Sequence, residues 1–233
     1  MTEQSLVPRD VRSRIRGAAV PLATALGRLG LTPNALTVIG FLGVCASAAL
    51  AGLGAWAVAG IVSLLFAAFD LLDGSLARAT GRVSTFGAFL DSTLDRAGEG
   101  VLYAGIVAGT AAAGAPALAA ASALAMVAAF LVSYSRARAE GLGFKGDVGV
   151  APRAERVAIM GAGLIATGLA GGVRQIAGTR PGDWIDLPGG IRLLAGSGEP
   201  WLAGTLALLC VLSTVTVLQR IWHVRAQARR LED

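Results

Sequence analysis

The segment DLLDGSLARATGRVSTFGAFLDSTLD, residues 70–95, holds four aspartates in a chain otherwise sparing of charge. Asp70 and Asp73 stand three residues apart and Asp91 and Asp95 four apart, so on helices each pair shares one face. Both pairs lie at the ends of apolar runs. A carboxylate within or near hydrocarbon costs several kcal/mol unless it is paired or ligates something, which makes these residues functional candidates. Like charges this close repel, and divalent cations bridged to substrate phosphates are the natural way to neutralise them. Oxygen-only ligands favour Mg²⁺ or Mn²⁺. Gly74 and Ala77 share the Asp70 face and leave room for a nucleotide, while Gly87, one turn before Asp91, permits close backbone approach. Arg78 can pair with the carboxylates or hold a phosphate. The bland alternative is a buried salt-bridge network in a divalent-metal transporter or an assembly protein, but four acids with so few bases are unusual for that.

Membrane helices must position these residues. Of 233 residues, 55% are hydrophobic and 15% charged, the composition of a multi-span membrane protein. Six apolar stretches, about 33–53, 56–79, 84–112, 115–139, 153–172 and 201–221, are long enough to cross a bilayer and are separated by Gly, Pro or charge. Residues 8–30 place Val11, Ile15, Ala19, Leu22, Leu26 and Leu29 on one stripe with Arg12, Arg16 and Arg28 elsewhere, as in a helix lying on the membrane surface. The fold class predicted is all-α integral membrane, six transmembrane helices preceded by an amphipathic interfacial N-terminal helix. It divides into a juxtamembrane segment, 1–32, a helical domain, 33–225, and a cytoplasmic tail, 226–233. A short turn between the second and third spans would make them antiparallel neighbours whose aspartates converge on one pocket.

Lys and Arg concentrate in the N-terminal segment, around Arg78 and Arg82, between Arg136 and Arg156, and from Arg220 to Arg230, all on one side of a six-span topology. That side is expected to be cytoplasmic, at the plasma membrane, with both termini inside. Trp56 and Trp201 would then sit at the outer interface and Trp222 at the inner one. The net charge of +5 belongs to this topology and does not suggest nucleic acid. Cys45 and Cys210 lie in apolar runs as packing residues, and the sole histidine, His223, reads as interfacial. Pro181, Gly182, Pro188, Gly189 and Gly190 suggest an irregular outer-face loop within 173–200.

The spacing D-x2-D-G-x2-A-R-x8-G-x3-D-x3-D, filled here by Asp70, Asp73, Gly74, Ala77, Arg78, Gly87, Asp91 and Asp95, resembles the signature of the CDP-alcohol phosphotransferase family. The likeness extends from LTPNALT at 31–37 to Arg225. It implies a homodimer with a cytoplasm-facing cavity and two metal ions ligated by Asp70, Asp73, Asp91 and Asp95. Asp95 would double as the base that deprotonates the acceptor, and Asn34, Thr37, Gly74, Arg78 and Ser84 would surround the CDP-lipid. The chemistry agrees: metal ions stabilise a departing CMP while a carboxylate takes the proton of the attacking hydroxyl, and no Ser, Cys or His nucleophile is needed.

The acceptor must be read elsewhere. Residues 133–156, SYSRARAEGLGFKGDVGVAPRAER, bring Arg136, Arg138, Lys145, Arg153 and Arg156 to one end of the spans, and LQRIWHVR adds Arg220 and Arg225. Such a cluster suits a doubly negative, phosphorylated acceptor, although positive-inside topology alone explains many of these residues. The stretch resembles the inositol phosphate-using branch of the family, bacterial and archaeal. Carried over by position, Arg136, Arg153 and Arg220, with Arg156 close by, would grip inositol phosphate. Where this chain has Arg136 the archaeal pattern also has Arg and the actinobacterial one usually Lys, so CDP-diacylglycerol and CDP-archaeol both stay open as donors. Glycerol phosphate is the alternative acceptor.

Overall fold

The structure is a computed structural model and describes residues 21, 25–173, 184–194 and 197–232. Most of the predicted N-terminal stripe, Val11 to Leu22, lies outside the described residues, as do Arg174, Arg180, Pro181 and Gly182. Leu26 packs on a small satellite core of Leu36, Leu72 and Leu76, whereas Leu29 is exposed.

Thr32 begins α1 (Pro33–Gly52): its hydroxyl accepts from the Ala35 amide at 3.2 Å, and Pro33 occupies the first turn, where a missing N–H costs nothing. α2 (Trp56–Ala67) runs almost continuously into α3 (Phe69–Ala79), since Ala68 between them keeps helical dihedrals. α4 (Thr85–Ala112), α5 (Pro116–Gly141), α6 (Arg153–Leu169) and α7 (Glu199–Glu232) follow. The helices form a closed circuit. α1 packs on α2 and α4, α2 on α6, α6 on α7, α7 on α5 and α5 on α4. Small residues permit these approaches: a Cβ at Gly105 of α4 would stand 2.2 Å from the Ala48 carbonyl oxygen of α1.

Among the described residues, four helices are long and apolar enough to cross a membrane: Pro33–Gly52, the run Trp56–Ala79, Pro116–Gly141 and Glu199–Leu231. α4, with 28 residues, carries Asp91, Asp95, Arg96 and Glu99, and α6 has only 17 residues. Leu42, Ile61, Leu65, Leu124 and Val211 face outward, as they do where lipid replaces water as solvent.

Three expectations change. The span ending near 221 continues as one helix to Glu232. Trp56 lies near the end of its helix, but its ring is buried at 3% exposure, against Gly109 and Gly172; Trp201 and Trp222 are exposed, as interfacial rings would be. Part of the 173–200 loop is regular: β1 (Trp184–Leu187) pairs antiparallel with β2 (Ile191–Leu194) around Pro188–Gly190, because a two-stranded ribbon satisfies backbone groups that an irregular loop leaves to water.

Candidate active site

The aspartates are positioned by local helix starts and one tight turn. α3 ends at Thr80, and Gly81 follows with φ of 65°, a conformation that glycine adopts without a Cβ clash. Ser84 then caps α4, its hydroxyl accepting from the Gly87 amide at 3.0 Å. From there Gly87, Asp91 and Asp95 follow at four-residue intervals on one face of α4.

α3 and α4 are not the directly packed neighbours expected of them. α1 packs against both and holds them on either side of a cavity of about 320 Å³, so the space between the two acid-bearing helices is left open instead of being filled by side chains. Thr37 of α1 donates to Asp73 Oδ2 at 2.7 Å, and Asp73 Oδ1 also accepts from the Gly74 amide. A Cβ at Gly87 would meet Asn34 Oδ1 at 3.2 Å. Asp73 and Asp91 face this cavity from opposite helices, in company with Thr37, Arg78 and Ser84. The Arg78 guanidinium lies over Gly74, 3.5 Å from where a Cβ would stand. All five residues expected around the CDP-lipid, Asn34, Thr37, Gly74, Arg78 and Ser84, line the cavity. Arg82 lines it too; the sequence marked Arg82 only as a loop cation, because nothing in its spacing distinguishes a solvent-facing arginine from one folded back over a pocket.

Asp95 lies a turn deeper, where its Oδ1 pairs with Arg153 Nη2 of α6 at 3.0 Å and its Oδ2 is 3.8 Å from Arg96. One turn further along both helices, Arg156 grips Glu99 with two parallel bonds, Nε to Oε1 at 2.9 Å and Nη2 to Oε2 at 2.8 Å. Its Nη1 donates to the Ala151 carbonyl at 3.0 Å. Two rungs, Asp95–Arg153 and Glu99–Arg156, thus tie α4 to α6. Glu99 falls outside the aspartate signature, yet an acid one turn after Asp95 inside a span is a signal of the same kind.

The four arginines expected to grip an acceptor bond to different partners, although Arg220 lies within electrostatic reach of Arg136 and Arg156. Arg153 reaches the aspartates. Arg156 is 1% exposed and committed to Glu99, and Arg220 is buried, donating to the Val148 carbonyl at 2.8 Å and to the Val132 carbonyl. Arg136 is exposed and pairs with Glu140 on its own helix at 2.8 Å. Burial drives this division of partners, since a guanidinium removed from water must find acceptors at once and takes the nearest carboxylate or backbone carbonyl.

The Asp70 side chain lies outside the described residues. Among the described residues no three His, Cys, Asp or Glu side chains gather into a metal cluster. The donors that face the cavity, Asp73, Asp91 and the hydroxyls of Thr37 and Ser84, are all oxygen and fit a hard divalent cation, with Asp70 one turn before Asp73.

A bundle that opens a polar, carboxylate-lined cavity at the end of apolar helices defines a membrane enzyme acting on a charged lipid head, and the chain belongs to the CDP-alcohol phosphatidyltransferase family, which matches residues 30–179. It is similar to the phosphatidylinositol phosphate synthase of Mycobacteroides abscessus, 36% identical over 97% of this chain and 91% of that protein. It also resembles the archaetidylinositol phosphate synthase of Pyrococcus horikoshii, 39% identical over 64% of this chain and 78% of that protein. The crystal structure of Mycobacterium tuberculosis phosphatidylinositol phosphate synthase with CDP-DAG bound superposes with a TM-score of 0.72 at 30% identity, over 88% of this chain and 92% of that one. The same enzyme in complex with manganese and citrate gives 0.71 at 31% identity, over 88% of each chain. The chain is therefore a transferase of phospholipid biosynthesis, and the transporter and assembly-protein readings fall away.

Proposed function

We propose that this enzyme moves the phosphatidyl-type group of a CDP-linked lipid to a hydroxyl of inositol phosphate and releases CMP. The observation that carries the reading is the cavity between α3 and α4, which has Asp73, Arg78 and Asp91 on its walls and the Asp95–Arg153 pair one turn beyond. The inositol-based names of relatives that cover nearly the whole chain support the acceptor.

In this reading Asn34, Thr37, Gly74, Arg78 and Ser84 seat the cytidine diphosphate portion. Asp70, Asp73, Asp91 and Asp95 hold two Mg²⁺ or Mn²⁺ ions, which supply charge neutralisation at the pyrophosphate and at the leaving CMP. Arg153 holds the acceptor phosphate beside Asp95, and Arg136, on an exposed turn, is a second grip. Asp95 takes the hydroxyl proton as the acceptor oxygen bonds to the lipid-side phosphorus and the anhydride bond to CMP breaks. Arg156 and Arg220 serve the acceptor from behind, by fixing the start of α6 and the 142–152 loop through Ala151 and Val148. Six spans, namely α1, the α2–α3 run, α4, α5, α6 and α7, would cross the plasma membrane, with the cavity and both termini on the cytoplasmic side. Residues 33–225 form the catalytic domain, 1–32 an interfacial segment and 226–233 the tail, and two copies pair.

Release of CMP from purified protein, supplied with Mg²⁺ and either CDP-diacylglycerol or CDP-archaeol, tests this against inositol phosphate, free inositol, glycerol phosphate and serine. Release with inositol phosphate alone is expected. Release with glycerol phosphate alone would keep the mechanism but overturn the acceptor.

A further inference from the structure

Two arginines of the α5–α7 region have no part in the site described. Arg138 and Arg225 border a groove between α5 and α7 of about 490 Å³, larger than the aspartate cavity at about 320 Å³. The groove opens on the outer face of the bundle: Leu131, Leu142 and Ile221, which line it, are 47%, 53% and 54% exposed. Contacts of Arg220 with the Val132 carbonyl, and of Gln227 with Lys145 just beyond α5, set the two helices side by side in the same direction. Each therefore runs from apolar residues to a cation, α5 from Leu131 to Arg138 and α7 from Val217 to Arg225, a rise of about 10–12 Å along either helix.

The groove is thus mostly apolar along its length, with the buried Arg220, already bonded to backbone carbonyls, at its floor, and cationic at one end. Tyr134, a turn before Arg138 and 65% exposed, adds an amphipathic ring of the kind favoured at a membrane interface. Among the described residues neither Arg138 nor Arg225 makes an ion pair, and Glu140, the acid nearest to Arg138 in sequence, is taken by Arg136.

We propose that this groove binds one anionic phospholipid of the cytoplasmic leaflet, at a site separate from the substrate cavity. The phosphate sits at Arg138 and Arg225, and an acyl chain lies along Leu131 and Val217. A free anion would have no use for the apolar walls. A zwitterionic lipid carries its own cation and gains less from two guanidiniums. A second copy docking through this face by two-fold symmetry would set like charges against like. The proposal does not depend on which alcohol the enzyme uses.

Native mass spectrometry of the purified protein, offered phosphatidylglycerol and phosphatidylcholine in equal amounts with and without excess CDP-diacylglycerol, reads the site. Wild type should retain one phosphatidylglycerol several-fold over phosphatidylcholine, whether or not CDP-diacylglycerol is present. The R138Q/R225Q double variant should lose that preference and R138K/R225K should keep it. Leu131→Trp, which fills the groove and leaves both arginines in place, should expel the lipid and provides a second variant if the charge removal impairs folding, which thermal unfolding in detergent checks. Equal retention of the two lipids, retention unchanged in R138Q/R225Q, or displacement by CDP-diacylglycerol would each overturn the proposal.

Discussion

The aspartates and the arginines of this chain look alike on paper, as charges clustered at the ends of apolar helices, yet the fold treats them in opposite ways. Asp73 and Asp91 are drawn to one cavity from different helices. The arginines are divided among separate partners: Arg153 pairs with Asp95, Arg156 with Glu99, Arg220 with backbone carbonyls and Arg136 with Glu140, while Arg138 and Arg225 border an outer groove. The acids lie on two helices joined by a five-residue turn, so their convergence is nearly local. The arginines lie on three helices that meet only through packing, and each finds whichever acceptor packing brings to it.

The sharpest way to break this contrast is at Asp95. Asp95→Asn should lower turnover by about 10²–10⁴-fold while CDP-lipid binding stays measurable, and undiminished CMP release would take Asp95 out of the role of base. Next in size is Glu99→Ala, which leaves Arg156 buried without its acid. A buried pair broken on one side costs about 3–5 kcal/mol, readable as a large drop in thermal unfolding midpoint in detergent. A variant as stable as wild type would show that Arg156 finds a substitute partner. Arg153→Ala should raise the acceptor KM by about 10–100-fold, as loss of a charged hydrogen bond would, with far less effect on the CDP-lipid KM. An equal rise for both substrates would place Arg153 outside the acceptor site. The smallest effect belongs to Arg136→Ala. Its partner Glu140 is four residues away on an exposed helix face, so stability should change by no more than about 0.5 kcal/mol. Any rise in acceptor KM in that stable variant then reports contact with substrate, and none would remove Arg136 from the grip.

Much of this protein is legible in the chain itself. Hydropathy places the helix boundaries to within a few residues for α1 to α5, because apolar length is dictated by the bilayer. The aspartate face follows from the 3.6-residue period. What the fold alone decided is everything that needed two distant segments to meet. α1 wedges between the acid-bearing helices, so Thr37 bonds Asp73 across 36 residues of sequence, and Glu99 becomes the anchor of Arg156 across 57. No periodicity encodes such meetings. They result from which small residues let which backbones approach, and from the requirement that every buried charge find a partner where the packing leaves one.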